Sequence, residues 1–352
     1  MPKDNENIPL PDLGPLTPSE PQGFAPEQMI RCEKCQRANP PTRVNCLYCA
    51  TPFAFNEKTA SLQKPTLRPL EKWEQGYSNI LVPASGRLDN ETVDQVAALL
   101  KLGADQLKRI LESATPLPLA RAATYDEALL IERRLKDFGL STLVVSDTSL
   151  GMEASSPLRV RAAEIDEKGM MAFLTGGAAN VYYYWSALTL LVQGRLVVKS
   201  VEVKERKIGR ENHVVRSSET YMDEAVVDIY SQSGEANLRI GANSFDFSCL
   251  GDQKGLLAEE NFTQLLRLIR DLAPTAAFDD SYKAVRQSIE PIWSSEGQTE
   301  SRGWRRERMG KFTLGAVTEI SNEVQFTRYS RLRHYFHRNP VLKPDTSDLE
   351  PV

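Results

Sequence analysis

Apolar positions along this chain change period along its length, and each change marks a different kind of element. From Ser78 to Asp147 short apolar runs alternate with helical stripes, predicting the order β, α, α, β, α, β. Ile80, Leu81 and Val82 read as a short strand. Val93, Val96, Ala97, Leu99 and Leu100 form a stripe opened by Asp89 or Asn90 as N-cap. Beyond Gly103, Leu107, Ile110 and Leu111 recur at helical spacing until Pro116 and Pro118 end the helix. Thr124 and Glu127 have the spacing of a capping box, with Thr124 bonding forward and Glu127 reaching back. The helix they open buries Ala128, Ile131, Leu135 and Phe138 and stops at Gly139, before a strand from Ser141 to Val145.

From Leu158 to Leu272 period-two alternation takes over, followed by one helix carrying Phe262, Leu265, Leu266, Ile269 and Leu272 on one face. The stretches 158–162, 170–173, 188–203, 225–230, 236–240 and 245–247 read as strands, with a turn or bulge expected at Gly194. The uncharged run from Gly169 to Gln193 has the length of a membrane span, about 25 residues. Gly176, Gly177, Asn180 and a cluster of aromatics interrupt it, so it reads as two buried strands with a turn. Tyr282, Val285 and Ile289 predict a further helix. A polar stretch from Gln298 to Gly303 and a basic tract come next, then strand-like patterns over 311–320 and 324–336.

These patterns divide the chain into a proline-rich disordered arm (1–27), a cysteine-bearing ribbon (28–54), a polar linker (55–76) and a compact βααβαβ domain (77–150). A mostly antiparallel barrel or sheet closed by its C-terminal helix (156–275), a helix plus basic and aromatic tail with strands (276–340) and a disordered end (341–352) complete it. The fold class is multidomain α+β.

A length of 352 residues, 41% hydrophobic and 26% charged, suits two or three soluble domains. The net charge of −4 argues against a surface that coats nucleic acid throughout, but leaves room for a local basic patch. The N-terminal residues show no basic start with an apolar core, and no transmembrane segment is expected.

Cys32, Cys35, Cys46 and Cys49 form two C-x-x-C pairs, leaving Cys249 alone. Each pair turns both sulfurs toward one centre, so four thiolates can close a tetrahedral site for one structural zinc. The chain between the pairs is too short for a core of its own, and the metal must supply the folding energy. Arg31, Lys34, Arg37 and Arg43 are expected to favour the thiolates. A redox dithiol or a rubredoxin-like iron site uses the same residues. Paired cysteines of this spacing point to a reducing, cytoplasmic setting. With Asn39 and Pro40 between the pairs, the segment resembles the short zinc ribbons of multidomain bacterial proteins. Ran-binding-protein-type fingers share the Cys and Asn spacing but carry Trp where this chain has Ile30.

The stretch from Leu102 to Ala114, with Asp126, Ala128, Leu135, Gly139, Val144 and Val145, resembles the C-terminal domain of the bacterial ribosomal stalk protein, a fold shared with the Clp protease adaptor. The stalk family recruits translational GTPases through basic residues on its first two helices. Lys108 matches one such position, whereas Asp94, Gln95 and Ala98 stand where the family is basic. The Clp adaptor uses acidic side chains and a His to grip N-terminal residues, and no His occurs between Ser78 and Asp147. The order of elements from 156 to 275 resembles pleckstrin-homology-like barrels, in which Lys204, Arg206, Lys207 and Arg210 would meet headgroup phosphates; interspersed with Glu202, Glu205 and Glu211, they read equally as a solvated hairpin turn.

Arg302, Trp304, Arg305, Arg306 and Arg308, and then Arg328, Arg331 and Arg333, interleave cations with aromatics, a composition that can meet nucleic acid or simply form one charged strand face. On a strand His334 and His337 would point to opposite faces and make no metal pair. Cys249 is expected to be a small buried hydrophobe. No nucleophile with a partnered base is visible. The combined expectation is a non-catalytic zinc-binding adaptor or scaffold with a protein partner. The alternatives are RNA or ribosome association through the ribbon and basic tract, and phospholipid-headgroup binding.

Overall fold

The computed structural model describes residues 29–43, 45–51, 53, 65–83, 88–113, 115–153, 156–177, 179–208, 211–232, 237–308 and 311–339, without the side chains of 204–216 and 301–315. The expected arm 1–27, the first part of the linker and the tail 341–352 lie outside these residues. The chain forms two compact units, residues 1–64 and 65–352. In the first, β1 (Ile30–Arg31) pairs antiparallel with β2 (Ala38–Asn39).

The second unit is mixed α+β. Its first layer is a three-stranded antiparallel sheet, with β3 (Tyr77–Leu81) between β4 (Leu117–Ala122) and β5 (Thr142–Ser146). Helices α1 (Asn90–Leu100), α2 (Ala104–Leu111) and α3 (Tyr125–Asp137) occupy the connections, in the order the apolar periods predict. Asp89 is the N-cap of α1, accepting from the Thr92 amide at 2.9 Å.

The capping box at α3 is only half made. Thr124 Oγ1 accepts from the Glu127 amide at 3.2 Å, but the buried Glu127 carboxylate turns away from the helix start. Its Oε1 accepts instead from the amides of Thr66 and Leu67 at 2.5 and 2.9 Å. The Gly76 amide donates to Asp147 Oδ2 at 3.0 Å, so residues 65–76 are fastened to the body of the unit rather than acting as a tether.

The larger sheet is a curled half-barrel. Its strands are β6 (Leu158–Ile165), β7 (Gly169–Leu174), β8 (Val181–Tyr184), β9 (Leu188–Ile208), β10 (Glu211–Ser231) and β11 (Leu238–Gly241), then β12 (Ala277–Asp279), β13 (Glu296–Arg308) and β14 (Lys311–Ser321). They run in the order β13-β14-β9-β10-β11-β6-β7-β8, with β12 beside β9. Pairing is antiparallel except for β11 with β6 and β12 with β9. The uncharged run expected to fold as two strands is β7, β8 and the start of β9. No helix among the described residues is long and apolar enough to cross a membrane.

Strand β9 runs unbroken through Gly194, which pairs with Val226, so the turn or bulge expected there does not occur. The glycine has another cause. A Cβ at this position would lie 2.2 Å from the ring of Phe326, which packs directly on the strand backbone. Phe326 belongs to α6 (Glu323–Arg338), which replaces the strand expected over 324–336. Phe326, Tyr329, Leu332 and Phe336 are all buried, a helical spacing that the interleaved arginines conceal. The polar stretch from Gln298 to Gly303 likewise belongs to strand β13, where cross-strand hydrogen bonds substitute for an apolar pattern. The strand expected over 245–247 does not form: Asp246 makes only an isolated bridge to Ala162, and 3₁₀ turns begin at Phe247.

The β9–β10 pair separates two apolar cores by strict alternation. Leu190, Val192, Val226 and Tyr230 face a core shared with the α1–α3 layer, with α5 (Tyr282–Ile289) and with α6. Leu191, Ala225, Val227 and Ile229 face a second core, covered by α4 (Ala258–Leu272) through Phe262, Leu265, Leu266 and Ile269. The boundary expected near residue 150 is therefore not a break between separate cores. Trp293 Nε1 donates to Ser78 Oγ at 3.1 Å and Gln106 Nε2 to the Ser288 carbonyl at 2.7 Å, tying the late helical segment to the early layer.

Candidate metal centre

The two C-x-x-C turns are built alike. The amide of Gln36 donates to the Cys32 carbonyl at 2.7 Å, and the amide of Ala50 to the Cys46 carbonyl at 3.0 Å. The amide of Cys32 donates to Arg37 at 3.0 Å and that of Cys46 to Thr51 at 2.8 Å. Gln36 and Ala50, the residues after each second cysteine, both adopt left-handed backbone with φ of 59° and 56°. That conformation costs a non-glycine residue roughly 1–2 kcal/mol, and both turns adopt it at the same offset from their cysteines.

All four Sγ atoms lie within 4.8 Å of one another. Cys32 Sγ is 3.6 Å from Cys49 Sγ, and Cys35 Sγ is 3.5 Å from Cys46 Sγ. These separations are far beyond a disulfide bond and close to the roughly 3.8 Å edge of a tetrahedron with zinc–sulfur bonds near 2.3 Å. Cys32 and Cys46 are buried, Cys35 and Cys49 half-buried, and Phe53 packs beneath them. The donor set and its spacing fit one divalent metal.

Groups behind the sulfurs hold them in place. Asn39 is fully buried: its Nδ2 donates to the Arg37 carbonyl at 2.8 Å and to Cys46 Sγ at 3.5 Å, and its Oδ1 accepts from the Leu47 amide at 2.8 Å. The Tyr48 amide donates to Cys46 Sγ at 3.4 Å, and the Thr51 hydroxyl lies 3.2 Å from Cys49 Sγ. Burial alone would raise the Cys46 pKa, yet the Tyr48 and Cys49 amides and neighbouring thiols bring it down to about 6. The Thr51 hydroxyl and amide lower Cys49. Cys35 has the Arg37 amide acting to lower it, but burial and the other three sulfurs push it up to about 12. Four sulfurs this close share protons, and the last leave only when a cation replaces them.

The thiolates are thus favoured chiefly by backbone amides and a hydroxyl rather than by the cations expected nearby. Arg37 lies with its guanidinium 4.7 Å above the Tyr48 ring. Tyr48 and Leu47 stand exposed on the second turn, at 55% and 51%. Sequence reasoning passed over Asn39, Thr51 and the exposed Leu47–Tyr48 pair as working residues. The signal available was the constant offset between the two turns, which places Gln36 and Ala50, and Arg37 and Thr51, at equivalent positions.

The other candidate residues belong to the 65–352 unit. Lys108 is half-buried near the end of α2. Arg328 is buried on α6, its Nε 3.8 Å from Asp147, which also binds Arg121 at 2.5 Å. Burial and the neighbouring Arg121 hold Arg328 below the usual guanidinium pKa. Arg331 donates to the Gly151 carbonyl, and Arg333 pairs with Asp279. Arg328 and Arg331 line a polar cleft of about 590 Å³ together with Lys72, Glu296 and Glu319. These arginines serve the packing of α6 and form no exposed basic strand face. Arg302, Trp304, Arg305, Arg306 and Arg308 are separate from them, on β13.

His334 and His337 sit on a helix, not on a strand, and the His334 ring stacks on Tyr230 at 4.2 Å. Cys249 is half-buried against the second core. Comparison with protein families, curated proteins and solved structures finds no match to this chain.

Proposed function

We propose that this protein is a zinc-binding adaptor of the cytoplasm that works through protein contacts and carries out no chemistry of its own. The observation that carries the reading is the closed set of four cysteine sulfurs, which spends every coordination position of a tetrahedral ion on the protein. A catalytic zinc keeps one position open for water or substrate, whereas a closed one supplies folding energy. Zinc is the reading we take for such a closed four-thiolate site, and the Tyr48 amide and Thr51 hydroxyl at the second turn favour the thiolates that any such metal requires. The exposed Leu47 and Tyr48 offer an apolar contact on this metal-held scaffold.

Metal analysis of the purified chain should find about one zinc per molecule, lost on Cys46→Ser. Affinity capture should recover a partner that is retained by the intact chain, released on chelation and lost on Leu47→Ala/Tyr48→Ala. Partners that survive both perturbations, or substrate turnover that depends on a single polar residue of the 65–352 unit, would sink the adaptor reading.

A further inference from the structure

The sheet joins two basic tracts that are far apart in sequence. Residues 204–216 and 302–311 hold ten Lys and Arg against three Glu, in a chain whose net charge is −4. They come together because β14 pairs with β9: Thr313 stands opposite Arg206, and Gly315 opposite Lys204. Strands β13, β14, β9 and β10 therefore form a four-stranded blade, with both tracts at the same end.

The register sorts these residues by face. One row across the blade reads Arg305, Thr313, Arg206, His213. The next row on that face reads Gly303, Gly315, Lys204, Arg216, two glycines beside two cations. Toward the tip the same face continues through the pairs Arg308 with Lys311 and Ile208 with Glu211. The row between, on the opposite face, reads Trp304, Leu314, Glu205, Val214. Register positions of that second face also include Arg306 with Phe312 and Lys207 with Asn212. One face thus concentrates cations around a floor of small residues, while the apolar and aromatic residues fall mostly on the other.

We propose that the Arg305–Arg206 face of this blade binds the phosphate backbone of a nucleic-acid strand. Cations two residues apart along a strand are about 6.7 Å apart, comparable with successive phosphates on one strand, and the paired glycines let a backbone approach closely. A bilayer is the poorer fit, because insertion requires apolar residues among the cations and these fall mainly on the opposite face. The inference is independent of the zinc centre and of the adaptor reading.

The test uses the full chain and a fluorescein-labelled oligouridylate, with anisotropy read between about 50 and 200 mM salt. Two charge-matched variants differ only in face: Arg206→Ala/Arg305→Ala, and Lys207→Ala/Arg306→Ala. Each phosphate contact contributes about 0.7 to the salt slope for single strands, so losing two should weaken binding roughly 25-fold near 0.1 M salt. The slope should become shallower by about 1.4. The second variant should bind as the parent does, and unlabelled oligothymidylate should compete. Equal losses from the two variants, absence of binding by the parent, or capture by phosphatidylserine vesicles in place of the oligonucleotide would each overturn the proposal. If the first variant does not fold, as judged by circular dichroism, Lys204→Ala/Arg216→Ala removes the neighbouring row of the same face and must show the same selective loss.

Discussion

Asn39 offers the sharpest test of how the metal centre is held. Replacing it with Ala removes the acceptor of the Leu47 amide, the donor to the Arg37 carbonyl and the donor to Cys46 Sγ. The first two are neutral hydrogen bonds, worth about 1 kcal/mol net each, and one to a thiolate is worth about 1.5–3 kcal/mol. At a fully buried site water does not readily replace them. The sum is about 4 kcal/mol, of which part returns through relaxation. A four-thiolate ribbon couples metal binding to folding, so with zinc as the proposed ion the loss should appear as zinc affinity, about a hundredfold at 1.4 kcal/mol per decade. That agrees with the roughly 10–100-fold cost of losing partners behind metal ligands.

The assay is competition for zinc against a chromophoric chelator at fixed pH. Asn39→Asp sharpens it: the carboxylate still accepts from Leu47 but places negative charge where Nδ2 now donates to Cys46. Its zinc affinity should fall at least as far as that of Asn39→Ala. Affinities within threefold of the parent for both variants, in a protein where Cys46→Ser abolishes binding, would refute the role given to Asn39.

Three further outcomes follow from the 65–352 unit. Gly194→Ala should lower the urea midpoint by the equivalent of about 1–3 kcal/mol, since the new Cβ would meet the buried Phe326 ring at 2.2 Å; coupling with Phe326→Leu should exceed about 0.5 kcal/mol in a double-mutant cycle. Arg239 is almost wholly buried and binds Asp228 at 2.7 and 2.9 Å. Arg239→Met should therefore destabilise by about 3–5 kcal/mol by stranding the carboxylate, and adding Asp228→Leu should recover much of the loss in chemical denaturation. Burial, with Arg338 and His337 nearby, lowers His334 to about 4. The unfolded chain then takes up a proton near pH 6.5 that the folded chain resists until about 4, so stability is lost as pH falls through that window. After discounting for partial exposure to solvent the loss is on the order of 1–2 kcal/mol. His334→Phe, which keeps the stacking on Tyr230, should flatten that part of the stability–pH curve relative to the parent.

Local chemistry was readable wherever it depends on residues close together in the chain. The C-x-x-C spacing reveals a pair of inward sulfurs from each turn, because each turn is closed by its own backbone. The α1–α3 layer was readable because its stripes, N-caps and the Gly139 stop act within a few residues of one another. The helix α4 announced itself through a single apolar face. Helix α6 did not, because it is buried on nearly every side and has charges as well as apolar residues to satisfy: Arg328 finds Asp147, and Arg333 finds Asp279. A pattern of alternating arginines and aromatics then imitates a strand.

What required the folded molecule are the relations between distant segments. Gly194 looks like a strand breaker until Phe326 is seen against it. Glu127 looks like half a capping box until the amides of Thr66 and Leu67 claim its carboxylate. The two basic tracts read as unrelated local features until the pairing of β14 with β9 brings them to the same end of one blade. Periodicity records the burial of each element, but carries no label for the element that buries it. The four-cysteine centre is therefore written in its own short segment, whereas the blade exists only through strand pairing across the chain.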